Sequence, residues 1–168
     1  YKRQALTLIP IAGIFGTICY IWNYGIVWQE PILLFIFWVI TGMGITVGYH
    51  RLFSHRSFKA HPFLEWTLAI IGAAALENSA LKWCSDHRRH HKHLDTDQDP
   101  YSITEGFFHA HIGWIFENKP EPIEKVKDLE EKLALRFQYE YYLPLSIIFG
   151  LLLPLACLLY TSDAADEG

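Results

Sequence analysis

The chain has 168 residues, of which 51% are hydrophobic, 15% aromatic and 19% charged, with a formal net charge of -4 at neutral pH. Counting histidine as neutral, no charge falls between Arg3 and Glu30, between Glu30 and Arg51, or between Glu140 and Asp163. A chain this short cannot bury three such apolar stretches on all sides, which excludes an ordinary soluble domain, and no basic run invites nucleic acid.

Crossing the hydrocarbon core takes about 20 mainly apolar residues. Three spans are therefore predicted, over about 5–22, 31–49 and 141–160. The first is too long, and too closely followed by the second, to read as a cleaved signal peptide. It ends in an aromatic turn, Trp22-Asn23-Tyr24-Gly25, suited to a membrane interface. Pro31 suits the first turn of the second span, which runs to about Tyr49 and carries Gly42, Gly44 and Gly48. That stripe predicts close approach by another helix.

Residues 62–80 are opened by Pro62, but the apolar run Trp66 to Leu76 is flanked by Glu65, Glu77 and Asn78. This run is too short to span and is predicted as a helix at the cytoplasmic interface. Residues 94–106, with Asp95, Asp97, Asp99, Pro100 and Gly106, read as a polar loop, and 107–116 as an aromatic segment holding His109, His111 and Trp114. Residues 121–138 read as a charged amphipathic helix with Leu129, Leu133 and Phe137 on one face. Pro144 and Pro154 are expected to bend the third span. Residues 161–168 change character abruptly and read as an exposed loop or as non-native sequence. The fold class predicted is all-α: an integral, multi-pass membrane protein with a cytoplasmic helical segment over 50–140.

Lys2 and Arg3 precede the first span, the connection from Asn23 to Glu30 has no Lys or Arg, and residues 51–140 hold twelve. The positive-inside rule then places the N-terminus and the long segment in the cytoplasm, with every histidine at or beyond that face. Cys19 and Cys157 fall inside spans and Cys84 beside a histidine cluster, with no CxxC, so neither a disulfide framework nor a thiolate metal site is supported.

Five of the nine histidines form two clusters, His50-Arg51-Leu52-Phe53-Ser54-His55 and His87-Arg88-Arg89-His90-His91. Imidazole is the commonest protein ligand for metals such as iron and zinc. On an α-helix His87, His90 and His91 share a sector of roughly 100°, and His93 falls about 60° outside it. His50 and His55 lie about 140° apart on the same geometry, too far to serve one metal from one rigid helix but able to reach two metals or opposite sides of a dinuclear centre. The expectation is a two-metal site assembled between helices. HExxH and Glu-x-x-His are absent, which leaves zincin-type proteases and carboxylate-bridged bundles unsupported. An imidazole-rich site beside membrane helices points to iron and O2, since iron can change oxidation state and zinc cannot. The competing reading makes these residues interfacial cations at lipid headgroups. His61, His93 and His109 are given solvated or structural roles.

HRLFSH, then Trp83-Cys84-Ser85-Asp86-HRRHH, Asp99-Pro100, Gly106-Phe107-Phe108 and His111-Ile112-Gly113-Trp114 together resemble the membrane fatty-acyl desaturases. More narrowly, the set over about 30–160 is similar to the bacterial branch of the Δ9, stearoyl-CoA-type group. The resemblance implies four membrane helices and a cytoplasmic cap holding a di-iron centre, with His50, His55, His87, His90 and His91 as iron ligands. It implies removal of two hydrogens from a saturated acyl chain, using O2 and two electrons from a donor such as a ferredoxin or a cytochrome b5-type protein. Asn78 and Trp83 match positions along the acyl path or at the substrate head, and Asp86 matches a headgroup contact. Two departures stand out. The family's third histidine box and later ligands lie outside these residues, and three spans leave the C-terminus opposite the ligands, so a C-terminally truncated, inactive fragment is expected. Ser85 stands where CoA-using animal enzymes have arginine, which leaves the carrier open among CoA, carrier protein and lipid.

Trp38 lies twelve residues before His50, about 18 Å along an α-helix. That depth suits the floor of an acyl tunnel; packing against lipid or a neighbouring helix is the competing role. The alternatives to a desaturase are a hydroxylase or alkane oxygenase of the same histidine-box superfamily, and a non-catalytic membrane metal-binding protein.

Overall fold

The computed structural model describes residues 2–99, 101–117 and 122–166, and among these every regular element is helical. Helix α1 spans Lys2–Tyr24. Helix α2, Gln29–Met43, continues directly into a π-helical segment of 11 residues, Gly44–Ser54. Helices α3 (Pro62–Ala74) and α4 (Ala80–Lys92) follow. After a 3-10 turn and a short π-helical segment at His109–Gly113 come α5 (Trp114–Glu117), α6 (Lys127–Glu130) and α7 (Leu133–Glu140). Helix α8 (Tyr142–Ile147), a π-helical segment (Ile148–Leu152) and α9 (Leu153–Asp166) close the described chain.

Thr7–Tyr24, Gln29–Ser54 and Tyr142–Tyr160 are long and apolar enough to cross a membrane, in agreement with the three predicted spans. Their surfaces are largely uncovered: the most apolar windows are buried to 0%, 17% and 11%. The core therefore lies at the end of the second span, where Tyr49, Leu52 and Phe53 of the π-helical segment meet Leu68 and Ala69 of α3, Leu81 and Cys84 of α4, Leu129 of α6 and Leu135 of α7.

Small residues set the closest approaches. A Cβ on Gly44 would fall 2.5 Å from the backbone nitrogen of Gly72, and one on Gly150 would fall 2.6 Å from the carbonyl oxygen of Ala74. Helix α3 is thus held between the second and third spans. The glycine stripe does admit a neighbour, as predicted, but at Gly44 and Gly48; Gly42 faces open space.

Several boundaries depart from the expectations. The helix foreseen over 62–80 stops at Ala74, because Leu76 and Asn78 adopt left-handed backbone (φ 62 and 90) and Ser79 caps a new helix by accepting from the Lys82 N–H. Asn tolerates that conformation and Ser is a favoured N-cap, so Asn78-Ser79 is a stop and a start. The amphipathic helix foreseen over 121–138 begins partly outside the described residues (118–121), and the remainder is two short helices. Extended backbone at Lys132 (ψ 117) breaks the register, so Leu129 is buried while Leu133 is 66% exposed. Ala134, Leu135 and Gln138 face inward instead.

The aromatic turn also moves: α1 runs through Tyr24, and the chain reverses at Gly25 (φ 78). Tyr20 then donates to Glu30 across the turn at 2.7 Å. Pro144 sits in the first turn of α8, and Pro154 is the second residue of α9, with Leu153 between it and the π-helical Ile148–Leu152. A widened turn there relieves the clash of the proline ring with the carbonyl four residues back. Backbone through Asp166 prolongs α9, where an exposed loop or non-native sequence was foreseen.

Gln138 is fully buried and joins three elements. Its Oε1 accepts from the Ala80 N–H at 3.0 Å and its Nε2 donates to the Tyr49 hydroxyl at 2.7 Å. Lys132 pairs with Glu65 at 2.5 Å, fixing the start of α7 to α3.

Candidate metal centre

His50 lies in the π-helical segment, His55 just beyond it, and His87 and His91 one turn apart on α4. One ligand atom from each of these four residues lies within 4.8 Å of the others. His55 Nε2 and His91 Nε2 each stand 3.1 Å from His87 Nε2. With metal–nitrogen bonds of about 2.1 Å, a 3.1 Å separation subtends about 95° at a shared ion, nearer the edge of an octahedron than of a tetrahedron. The donor set and its spacing fit a metal.

The backbone here departs from the α-helical geometry assumed for this pair. On an α-helix His50 and His55 would diverge, but here the His55 N–H donates to the His50 carbonyl at 3.0 Å. An i→i+5 bond is the signature of a π-turn and brings residue i+5 over residue i. The two imidazole centroids are 4.5 Å apart. His50 and His55 therefore join one group, contrary to the α-helical reading.

Burial, then the neighbouring imidazoles of His91, His50, His55 and His90, push His87 down to about 3. Burial followed by His50, His91 and Arg88 lowers His55 as well. Both shifts favour the neutral ring, whose lone pair is what a metal requires.

His90 is not one of the four. Its Nδ1 is 2.7 Å from Oδ1 of Asp99, whose side chain is 0% exposed. Asp99 also accepts from the Tyr101 and Asp95 N–H groups at 2.9 and 3.0 Å. Burial raises the Asp99 carboxyl, but these hydrogen bonds, led by His90, hold it below its ordinary value. A carboxylate acceptor requires the proton on Nδ1 and leaves Nε2 as the lone-pair nitrogen, the pairing usual behind a ligating histidine.

The remaining histidines stand apart. His61 Nδ1 accepts from the Phe63 N–H at 3.2 Å and caps α3. His93 ends α4, His109 lies 3.6 Å from Glu105, and His111 stacks on Phe107.

Of the positions assigned to substrate, Trp83 lies closest to the cluster. Its ring stacks on His87 at 4.7 Å, meets His50 edge-on, and donates through Nε1 to Glu77 at 3.3 Å. Asp86 pairs with Lys82 at 2.5 Å and lines a polar cavity of about 390 Å³ shared with Arg89, Asp99, Tyr101 and Lys125. Asn78 is exposed; its N–H donates to the Tyr142 hydroxyl and its Oδ1 accepts from the Ser79 N–H, each at 2.9 Å. Trp38 is 69% exposed beside Phe35, and it lines neither the polar cavity nor an apolar one of about 560 Å³ between the three spans. Ser85 is buried, with its Oγ accepting from the Glu124 N–H at 2.8 Å, so it faces the interior.

Sequence reasoning overlooked Arg88 and Asp128, which pair at 2.8 Å, Arg88 following His87 on α4. An arginine between two histidines was the only signal; its partner lies forty residues on.

The fatty acid desaturase family model matches residues 26–164. A probable acyl-CoA desaturase of Schizosaccharomyces pombe is 40% identical over 154 residues, covering 89% of this chain and 30% of its own length. A Delta(9)-fatty-acid desaturase of Caenorhabditis elegans is 41% identical over 133 residues, or 76% and 39%. An sn-1 stearoyl-lipid 9-desaturase of Anabaena variabilis is 38% identical over 125 residues, or 73% and 46%. The chain spans less than half the length of each of these relatives.

Proposed function

The chain belongs to the fatty acid desaturase family, and on that premise we propose that it supplies the histidine-bearing part of a membrane enzyme that introduces a cis double bond, at Δ9, into a saturated fatty-acyl chain. Two hydrogens from the chain, with two electrons and two protons from a redox partner and solvent, reduce O2 to two waters. The observation that carries this reading is the convergence of His50, His55, His87 and His91 on one point.

Two irons, when bound, supply the oxidising power for breaking unactivated C–H bonds. On this reading His50, His55, His87 and His91 would hold iron, joined by His90, its tautomer fixed by Asp99. Ligands beyond this chain complete the set, as the greater length of the relatives allows. Trp83, stacked on His87, walls the acyl path and keeps water from one side of the cluster. Asp86 and the polar cavity beside it take the polar end of the substrate, with Asn78 near the entrance. The relatives' names span acyl-CoA and lipid-linked chains, so it is the acyl chain, and not its carrier, that is proposed here. Trp38 is proposed as the far limit of that chain: Trp38→Ala then shifts products to longer chains with the double bond in place, and an unchanged length preference assigns it to packing.

The spans lie in a bilayer with the histidines on the cytoplasmic side, on the strength of the Lys and Arg distribution. The test is expression of the full-length protein in a host lacking its own desaturase, with mass analysis of the fatty acids. Monounsaturated products that vanish with His91→Ala are expected. Hydroxylated products would move the protein to the hydroxylase reading, and no product from iron-loaded, well-expressed protein would leave metal binding alone.

A further inference from the structure

Arg88 follows His87 on α4, and all five of its guanidinium N–H donors are engaged. Nε donates to the Ser54 carbonyl at 3.2 Å, and Nη2 to the Phe53 carbonyl at 2.8 Å and to Asp128 Oδ2 at 3.0 Å. Nη1 donates to the Lys125 carbonyl at 2.7 Å and to Asp128 Oδ1 at 2.8 Å. The side chain is only 16% exposed.

Phe53 and Ser54 are the last residues of the π-helical segment. Carbonyls at a helix end lack partners within the helix, and here a guanidinium from a neighbouring helix supplies them. Asp128 holds the fork in place and is itself gripped by Arg56 at 2.8 Å. The π-helical end is thus tied to α4 and α6.

We propose that Arg88, braced by Asp128, is the positioning residue that holds Gly44–Ser54 in its π register and so keeps His50 and His55 aimed at His87 and His91. The proposal rests on the metal-binding reading above. A π-helix is rare because an α-helix of the same residues is ordinarily more stable, so its register needs an external lock. Released into α geometry, His50 and His55 diverge by roughly 140° and one leaves the site. Lysine cannot substitute: it offers three donors on one nitrogen, where this position requires a planar fork reaching two carbonyls and a carboxylate at once.

The test uses the full-length protein in detergent, with iron affinity measured by chelator competition and the Co(II) absorption spectrum as a readout of coordination. Arg88→Lys and Asp128→Asn are compared with Lys132→Gln, which breaks the Glu65 pair and weakens the fold without touching the π-helical segment. Expected is a loss of iron affinity of about tenfold or more in folded Arg88→Lys, the scale usual for residues behind metal ligands, with a Co(II) spectrum showing fewer nitrogen ligands. Asp128→Asn should show a smaller loss of the same kind, and Lys132→Gln none beyond its unfolded fraction. Where Arg88→Lys does not fold, Asp128→Asn decides. Wild-type affinity and spectrum in the folded variants, or losses matched by Lys132→Gln at equal unfolding, overturn the positioning role alone. A wild-type protein that takes up no iron overturns the metal reading and this proposal with it.

Discussion

The carbonyl of His50 accepts the backbone N–H of His55 at 3.0 Å, and that one bond decides how many imidazoles meet. With α-helical pairing at this point, the second span would offer one histidine to the cluster. With the π-turn it offers two, and the four ligand atoms of His50, His55, His87 and His91 fall within 4.8 Å of one another.

His50→Ala and His55→Ala should therefore fail alike. Each removes one of four converging donors, and neither loss has a substitute nearby. Iron content of the full-length protein should drop sharply in both, with activity abolished, whereas His93→Ala, at the end of α4 and outside the cluster, should keep near wild-type iron. Retention of iron by one of the first pair would mean that His50 and His55 do not serve a common site.

Much of this was legible in the residues. Three charge-free stretches set the spans, and the histidine spacing on α4 placed His87 with His90 and His91 and left His93 out, although His90 turns to Asp99 and is not among the four that converge. What escaped was the π-helical backbone at Gly44–Ser54, because side-chain periodicity presupposes a helix type and nothing in GITVGYHRLFS announces a wider turn. Long-range pairing was equally hidden: Arg88 meets Asp128, and Tyr49 meets Gln138, across forty and eighty-nine positions. The break at Lys132 likewise defeated the Leu129, Leu133, Phe137 stripe, since an extended residue resets helical phase.

Asp99→Asn should lower metal affinity by about 10- to 100-fold, the range for residues that orient a ligating histidine. The amide keeps the shape but loses the charge that fixes His90. Its nitrogen would also face the Asp95 N–H, donor against donor, where Oδ2 now accepts at 3.0 Å. Chelator competition on wild type and variant measures the effect. Equal affinities would remove His90 from the ligand set.

Sidedness can be read by labelling. In a background without Cys19, Cys84 and Cys157, a cysteine at Asn23 should react with an impermeant thiol reagent added to intact cells, and one at Lys127 only after permeabilisation. The opposite pattern would reverse the positive-inside assignment and move the histidines to the other face.

Asp128 gives the fold a defined response to acid. The hydrogen bond from Arg88 is the largest influence on it, and it lowers the carboxyl from its ordinary 3.8 despite partial burial. The folded state therefore holds fewer protons on this group than the unfolded state does in the acid range, and stability rises with pH there. The contribution is fully present above the ordinary value and disappears as pH falls through the lower, folded one. Thermal unfolding of full-length wild type and Asp128→Asn, followed from about pH 6 down to about pH 3, should show a gap that is constant above about pH 5 and narrows progressively below it. The gap should also shrink in high salt, since a third of the Asp128 side chain is exposed (33%) and the pair is partly screened. A gap that stays constant down to about pH 3 would show that the Arg88 fork acts through its carbonyl bonds to Phe53 and Ser54, with the Asp128 charge contributing nothing.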